Sequence, residues 1–246
     1  MTARFHLPGF DGEGARATLP PEESHHLVHV VRLAPGAAVR VFNGRGGEWH
    51  ATVASASRAG VVLDIGRSAS PAPECAVPIV VAQALLKGDH FDAVVRDATM
   101  LGVTAMWPLR TVHTTVPARA SGPGAVARWG RIAVASAKQC GRAVVPDIRP
   151  TAALDAVLAE RPAAARLVLV EPTATVAAVS RVESLADQAR RHGATVLVGP
   201  EGGWHPDEVA RALAAGFVPW RLGTVTLRAD AAAVVALAVL RYAWEG

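Results

Sequence analysis

The chain has 246 residues, of which 51% are hydrophobic and 19% charged, and its formal net charge is +4 at neutral pH. This length is sufficient for a well-formed core and for one or two domains. No apolar run approaches the roughly 18 to 20 residues of a membrane span, and no signal-peptide pattern opens the chain. The two cysteines, Cys75 and Cys140, are far apart and form no CxxC pair. Together these features predict a protein of a reducing, cytoplasmic compartment.

Residues 1–72 are predicted to form a β-rich domain. Short runs of alternating apolar and polar residues cover 1–8, 38–42, 48–53 and 60–65. Turn dipeptides such as Asn43-Gly44 separate several of these runs. Several short strands at this spacing are typical of a small β-barrel.

A helical pattern at residues 21–32 interrupts these strands. His25, His29 and Arg32 would share one face of that helix, because they are spaced at i, i+4 and i+7. Two histidines four residues apart can bind a metal, but no glutamate or cysteine completes a ligand set, and we predict no metal site. The histidines are interpreted either as capping and interface residues or as part of a polar face that contacts RNA.

The sequence changes character after residues 67–78, which contain three prolines and show no periodicity. This segment is interpreted as a linker, with the domain boundary between residues 72 and 73. Beyond it, strand patterns alternate with longer helical ones, which predicts an α/β domain with a mostly parallel sheet at 73–246. The predicted strands are 79–84, 103–109, 167–170, 195–198 and 218–222, and the predicted helices are 87–101, 126–141, 180–192, 206–216 and 229–244.

Two of these strands are followed by glycine-containing loops. Strand 195–198 leads into Gly199-Pro200-Glu201-Gly202-Gly203, and strand 218–222 leads into a second loop that ends at Leu227-Arg228. Glycine permits close approach of another molecule to the backbone, and open α/β sheets bind ligands at the carboxyl ends of their strands. A single strand–loop–helix unit is common without any ligand, but the pair of loops favours a binding crevice.

These loops resemble the cofactor loops of the SPOUT class of RNA methyltransferases. The closest resemblance is to the 16S ribosomal RNA uracil-N3 methyltransferases, and it extends over nearly the whole chain. Further motifs agree in the same order: His25-His26, Val31-Arg32, Lys87-Gly88-Asp89, Leu101-Gly102-Val103, Pro108, Arg128-Trp129, Gln139-Cys140-Gly141-Arg142 and Val145-Pro146. The resemblance implies a PUA-like, RNA-binding β-barrel at 1–72 and a SPOUT-type domain with a trefoil knot at 73–246.

The same resemblance implies a function. The protein would methylate N3 of one uridine in 16S ribosomal RNA with S-adenosyl-L-methionine, and would form a homodimer through the knotted domain. Its partner would be the 16S RNA or the small ribosomal subunit. The residues that the resemblance assigns to the cofactor are Leu197, Gly199, Pro200, Glu201, Gly202, Gly203, Leu222, Gly223 and Leu227.

Arg228 and Asp230 are the predicted catalytic residues. N3 of uracil is a poor nucleophile while it carries its proton, and the charge of Arg228 would favour the uracil anion. Asp230 would accept the proton or orient Arg228; alternatively, the two residues form an ion pair without a chemical role. The family's Leu-Arg-Thr-Glu-Thr-Ala reads Leu-Arg-Ala-Asp-Ala-Ala at 227–232, so the acidic side chain is one carbon shorter and both hydroxyls are lost.

RNA contacts are expected in both domains, because basic groups bind phosphates while a flipped base is bound in a pocket. The candidate residues are Arg4, His25, Arg32, Lys87, Arg128 and Arg142, with Arg131 as a further possibility. Two other departures from the family are Thr111-Val112-His113, where it has Thr-Glu-Arg, and His205, a weaker N-cap than the usual serine or threonine. The alternative functions are a related enzyme with another RNA target and an RNA-binding protein without transfer activity.

Overall fold

The computed structural model describes residues 2–57, 60–160, 164–179 and 181–245, and only the backbone at residues 119 and 120. Internal contacts divide the chain into two compact units. The first comprises Met1–Glu74 and Val134–Val145, and the second comprises Cys75–Ala133 and Pro146–Gly246. The boundary between residues 72 and 73 stays a prediction, and nothing in the sequence had indicated that 134–145 associates with the first unit.

The first unit contains a five-stranded sheet in the described part of the chain. Its strands, in the spatial order β1-β3-β4-β5-β2, are β1 (Arg4–His6), β3 (Ala38–Phe42), β4 (Glu48–Ser57), β5 (Gly60–Ser68) and β2 (Arg16–Thr18). Strand β1 is parallel to β3, and the other neighbours are antiparallel. Alternate residues such as Val61, Leu63 and Ile65 are buried against one core, which explains the alternation in the sequence.

The helix of the first unit differs from its prediction. Helix α1 (Pro21–His25) is regular, but His26–Val31 continues it as a π-helix. The segment ends at Arg32, whose φ of 59° lies in the left-handed region. The rings of His25 and His29 still lie side by side, with their centroids 4.6 Å apart. A continuous α-helix over 21–32 was therefore wrong in its second half, and Arg32 does not extend the histidine face.

The second unit is an α/β domain in which every strand pair among the described residues is parallel. The sheet order is β12-β10-β11-β6-β7-β8, with the short β9 also paired to β7. The strands are β6 (Ile79–Ala84), β7 (Ala105–Arg110), β8 (Asp147–Ile148), β9 (Ala152–Ala153), β10 (Ala165–Leu169), β11 (Ala194–Val198) and β12 (Val218–Trp220). Burial on both faces explains the apolar runs at 167–169 in β10 and 196–198 in β11. The predicted parallel α/β fold is confirmed.

Helices connect these strands. They are α2 (His90–Met100), α3 (Pro123–Cys140), α4 (Leu154–Leu158), α5 (Ala186–His192), α6 (Pro206–Ala214) and α7 (Ala229–Glu245), with 3₁₀ turns at Ala118–Ser121 and Glu183–Leu185. The helix expected at 180–192 begins only at Ala186, and Ser180 lies outside the described residues. In the portion of the chain that the structure covers, no helix is long and apolar enough to cross a membrane.

Candidate functional site

A cavity of about 540 Å³ lies at the carboxyl edge of the parallel sheet in the second unit. Its wall is formed by the segments that follow β6, β10, β11 and β12 and by the first turn of α7. The lining residues are Leu86, Lys87, His90, Leu169, Val170, Glu171, Pro172, Val198, Gly199, Pro200, Glu201, Gly203, Trp204, Leu222, Gly223, Val225, Thr226, Leu227, Arg228, Ala229, Asp230 and Ala232. Parallel pairing of β10 with both β11 and β12 brings the two glycine loops to one edge.

Most of the residues predicted to bind a cofactor line this cavity. The lining includes Gly199, Pro200, Glu201, Gly203, Leu222, Gly223 and Leu227, together with Arg228 and Asp230. Leu197 does not belong to the wall, because it is 0% exposed and packs in the core with Val168 and Phe217. Gly202 is not part of the cavity wall either. A Cβ at this position would lie 3.2 Å from the Cβ of His113, which does not line the cavity.

Neighbouring side chains lie close to where a Cβ would stand at two glycines of the first loop, Gly199 and Gly203. Gly203 has a φ of +69°, and a Cβ there would lie 2.9 Å from Oε1 of Glu171. A Cβ at Gly199 would lie 3.1 Å from Nε1 of Trp204, whose ring is fixed by a 2.9 Å hydrogen bond to the carbonyl of Leu169. Side chains at these two positions would displace the wall, and their absence leaves backbone at the cavity surface.

The loop is continued by a well-capped helix. The ring Nδ1 of His205 accepts the backbone N–H of Asp207 at 3.2 Å, and the carboxylate of Glu208 accepts the N–H of His205 at 3.1 Å. This is a capping box in which an imidazole replaces the usual hydroxyl. His205 therefore does cap the helix, and the expectation that it is a weaker cap than serine or threonine stays a prediction.

Three charged or titratable side chains meet at the rim of the cavity. Arg228 Nε lies 3.2 Å from Oδ1 of Asp230, and Arg228 Nη2 lies 3.2 Å from each ring nitrogen of His90. His90 Nδ1 in turn lies 3.4 Å from Oδ2 of Asp230. Arg228 is the most exposed of the three, with 69% of its side-chain surface accessible, whereas Asp230 retains 24%.

The pKa of Asp230 is lowered from its ordinary value. Burial alone would raise it, but the backbone N–H of Ala231 and the guanidinium of Arg228 stabilise the carboxylate and together outweigh the burial. Asp230 therefore stays ionised and is a weaker base than an unperturbed aspartate.

The structure separates the predicted RNA-contact residues into two groups. His25, Arg32, Lys87 and Arg128 are exposed, although Arg128 also pairs with Asp92 at 2.9 Å. The guanidinium of Arg4, by contrast, pairs with Glu48 at 3.0 Å and donates to carbonyl oxygens at the end of α3, including that of Ala137.

The other exception is Arg142. It is 7% exposed and pairs with Glu74 at 2.6 Å. Both guanidinium groups are thus engaged by carboxylates of the first unit, and little of either side chain is accessible, 10% for Arg4 and 8% for Arg142. This burial argues against a direct RNA contact by Arg4 or Arg142.

Among the titratable residues of the cavity, sequence reasoning missed two, His90 and Glu171. His90 and Glu171 lie shortly after the carboxyl ends of two strands. His90 begins α2, at the end of the connection from β6, and Glu171 lies in the segment after β10. That position was the available signal, because such ends converge at the ligand crevice of an α/β sheet.

The cavity fits S-adenosylmethionine in size and chemistry. Its volume lies within the roughly 300–1,000 Å³ of small-molecule sites. Apolar side chains such as Leu86, Leu222 and Leu227 suit a purine ring, and the carboxylates of Glu171 and Glu201 suit cationic groups. Within the residues that the structure describes, no group of three or more histidine, cysteine or acidic side chains is arranged to hold a metal ion.

Comparison with known proteins agrees with this geometry. Residues 73–241 match the model of the RNA methyltransferase domain, and residues 19–66 match that of the RNA methyltransferase PUA domain. The ribosomal RNA small subunit methyltransferase E of Mycobacterium bovis is 32% identical, over 98% of this chain and 93% of that protein. The protein of the same name from Synechocystis is 31% identical, over 91% of this chain and 72% of its own length.

Solved structures give the same picture. The ribosomal RNA small subunit methyltransferase E of Neisseria gonorrhoeae, bound to S-adenosyl methionine, superposes with a TM-score of 0.88 at 28% identity, over 99% of this chain and 98% of that one. A Legionella pneumophila structure in complex with the bound cofactor SAM gives a TM-score of 0.88 at 27% identity, with the same coverage.

Proposed function

Because the chain belongs to the RNA methyltransferase family, we propose that it transfers a methyl group from S-adenosylmethionine to N3 of one uridine in 16S ribosomal RNA. The observation that carries the proposal is the cavity formed jointly by the loops at 199–203 and 222–228. Two glycine loops at one edge of a parallel sheet provide a site for the cofactor, and the rim of charged side chains provides a site for the base.

We assign the binding of the cofactor to the cavity wall. The backbone of Gly199, Gly203 and Gly223 would contact it closely, and Leu222 and Leu227 would enclose its apolar part. Bound there, S-adenosylmethionine supplies an electrophilic methyl group on a cationic sulfur. No covalent enzyme intermediate is needed, so alignment and exclusion of water supply much of the catalysis.

Arg228 is the proposed electrostatic catalyst. Its exposed guanidinium stands at the rim, where it can donate hydrogen bonds to the carbonyl oxygens of a uracil and stabilise the negative charge that develops there. Asp230 holds the guanidinium by its contact with Nε, which is 3.2 Å long. The lowered pKa of Asp230 favours this orienting role over proton transfer.

We propose that residues 1–72 form the RNA-binding domain and that residues 73–246 carry out the transfer. The exposed His25 and Arg32 of the first unit and Lys87 and Arg128 of the second are the candidate contacts. Binding to the RNA of the small subunit should weaken as salt is raised, because each phosphate contact releases counterions. The protein would act in the cytoplasm, where ribosomal subunits are assembled.

The homodimer and the trefoil knot belong to the same proposal. Helix α7 carries an exposed apolar stripe of Val235, Val239 and Tyr242, spaced at i, i+4 and i+7 along one face. Such a stripe supports association with a second copy. In the sheet, β10 lies between β11 and β12, although it precedes both in the chain. The connection from β11 to β12 therefore crosses over β10. A crossing of this kind is a condition for a knot.

The proposal is tested with purified protein, tritiated S-adenosylmethionine and small ribosomal subunits from a deletion strain. We expect label at N3 of one uridine, identified by mass mapping of the RNA. Arg228→Ala should reduce turnover about 10²- to 10³-fold while the affinity for the cofactor is retained.

The matched control is Arg211→Ala, which removes an exposed arginine of α6 that pairs with Asp155. It should leave turnover unchanged. Full turnover by Arg228→Ala would show that the catalytic role assigned to Arg228 is wrong. If the wild-type chain did not bind S-adenosylmethionine in calorimetry, the proposed methyltransferase activity would be disproved.

A further inference from the structure

His90 occupies a position at the cavity from which it can reach a bound base. It is the first residue of α2 and stands at the rim with 40% of its side chain accessible. Oδ2 of Asp230 lies 3.4 Å from its Nδ1, although the two residues are far apart in the sequence. The charged groups that line the cavity around it are Lys87, Glu171, Glu201, Arg228 and Asp230.

The proposed methylation of uridine requires an acceptor for one proton. The N3–H bond of uracil breaks and a bond from N3 to the methyl carbon forms, while the electron pair of the sulfur–methyl bond stays on the sulfur. The cationic sulfur becomes a neutral thioether, so the positive charge leaves as the N3 proton. A side chain within hydrogen-bond reach of N3 has to take that proton if the step is to be fast at neutral pH.

Asp230 is poorly suited to be that acceptor. Both of its carboxylate oxygens are engaged by Arg228, at 3.2 Å from Nε and 3.3 Å from Nη2. Histidine and aspartate have ordinary pKa values of roughly 6.5 and 3.9, so an imidazole is the stronger base by about two orders of magnitude. Glu201 is also engaged, because its Oε1 accepts the backbone N–H of Lys87 at 2.9 Å.

We propose that His90 is a catalytic residue that accepts the N3 proton of the target uracil, with Asp230 as its positioning residue. The carboxylate beside Nδ1 favours the tautomer with a proton on that nitrogen, which leaves the lone pair of Nε2 as the acceptor. Arg228 Nη2 lies 3.2 Å from Nε2 and can donate to that lone pair. In the proposed complex the guanidinium turns to a carbonyl oxygen of the uracil, which leaves Nε2 free to take the N3 proton. Its charge stabilises the uracil anion while His90 takes the proton.

The test compares single-turnover methyl transfer by the full-length wild type, His90→Gln and Asp230→Asn between about pH 5 and pH 9, on small subunits that lack the modification. The wild-type rate should rise with pH along an acidic limb to a plateau, because the proton acceptor must be neutral. His90→Gln should be about 10²- to 10⁴-fold slower and should lose this acidic limb. Asp230→Asn should slow transfer but keep the limb.

The control is His192→Gln, which removes an exposed histidine at the end of α5 and should keep both the rate and the pH profile. Calorimetry with S-adenosylhomocysteine reports folding and cofactor affinity for each variant. The proposal is overturned if His90→Gln keeps the acidic limb or the wild-type rate, or if its only defect is lost cofactor affinity. If the wild type does not methylate uridine N3, the proposed function itself is overturned. This outcome is distinguishable, because it is measured on the wild type alone, before any variant is compared.

Discussion

The carboxylate of Glu208 accepts the backbone N–H of Val112 at 2.9 Å, and this hydrogen bond joins the first turn of α6 to the segment that follows β7. Glu208 is only 2% exposed, and it also accepts the N–H of His205 at 3.1 Å. Nearby, Nδ1 of His113 lies 3.0 Å from the carbonyl oxygen of Gly203. The segment that follows β7 thus contacts both the glycine loop and the helix after it.

Glu208→Ala should destabilise the second unit and weaken cofactor binding. The substitution removes the acceptor of two backbone N–H groups in partly buried hydrogen bonds, and each such loss costs about 0.5–1.5 kcal/mol. Urea denaturation measures the free energy of unfolding, and calorimetry measures the affinity for S-adenosylmethionine. Glu183→Ala, at an exposed position before α5, is the control. An unchanged affinity in Glu208→Ala would show that the loop does not depend on this contact.

The strongest periodic patterns of the sequence predicted the fold well. Strands β6 and β11 and helix α7 are long or apolar enough for their own residues to specify them, and the glycine loops follow directly from the strand ends. Three of the shortest strands, β2, β8 and β9, gave no signal. Their existence depends on pairing with partners distant in the sequence, which no local pattern encodes.

The sequence predicted the two loops of the site, and Arg228 and Asp230 through the family resemblance, but not the meeting of these side chains with His90. Glycine and proline mark loops by their conformational properties, and so the cofactor loops were found from local sequence. The rim depends on His90 meeting Asp230 across 140 positions, and the burial of Arg4 depends on Glu48, which is 44 positions away. A charged residue in an alternating strand is expected to be exposed, and only the fold reveals the partner that allows it to be buried.

Gly203→Ala should weaken cofactor binding, whereas Gly216→Ala should not. Both glycines have a positive φ, +69° and +85°, so both substitutions incur a similar backbone strain of about 1–2 kcal/mol. Only at Gly203 does the new Cβ meet another group, Oε1 of Glu171 at 2.9 Å, and the carboxylate of Glu171, which lines the cavity, must move. We expect an affinity loss of about tenfold, or roughly 1.4 kcal/mol, by calorimetry. Equal affinities in two variants of equal stability would contradict this role of Gly203.

Acid should destabilise the first unit through His6. Burial lowers the pKa of His6 below the ordinary histidine value, although the charge of Glu23 opposes the effect. The folded state therefore binds fewer protons than the unfolded state. The stability that neutral His6 allows is fully present above the unfolded pKa of roughly 6.5, and it is lost as the pH falls from there through the lower pKa of the folded state. Burial also lowers the pKa of His26, which acts in the same direction.

The measurement is the urea midpoint of the full chain from about pH 7.5 to about pH 5. The decrease in stability over this range should be smaller in His6→Gln than in the wild type. His29→Gln removes an exposed histidine of the same unit and should leave the decrease unchanged. A decrease in His6→Gln that equals that of the wild type would assign the acid sensitivity to other groups.

Val239→Asp should convert a dimer into single chains. Val239 is 39% exposed in the middle of the apolar stripe on α7, between Val235 and Tyr242, so in a homodimer a carboxylate at this position would be buried without a partner. Light scattering of the purified protein measures the mass over a range of concentrations. Val30→Asp is the matched control, because Val30 is 63% exposed but lies in the first unit. If both variants kept the mass of a dimer, the stripe on α7 would not be the dimer interface, and the two chains would have to associate through another surface.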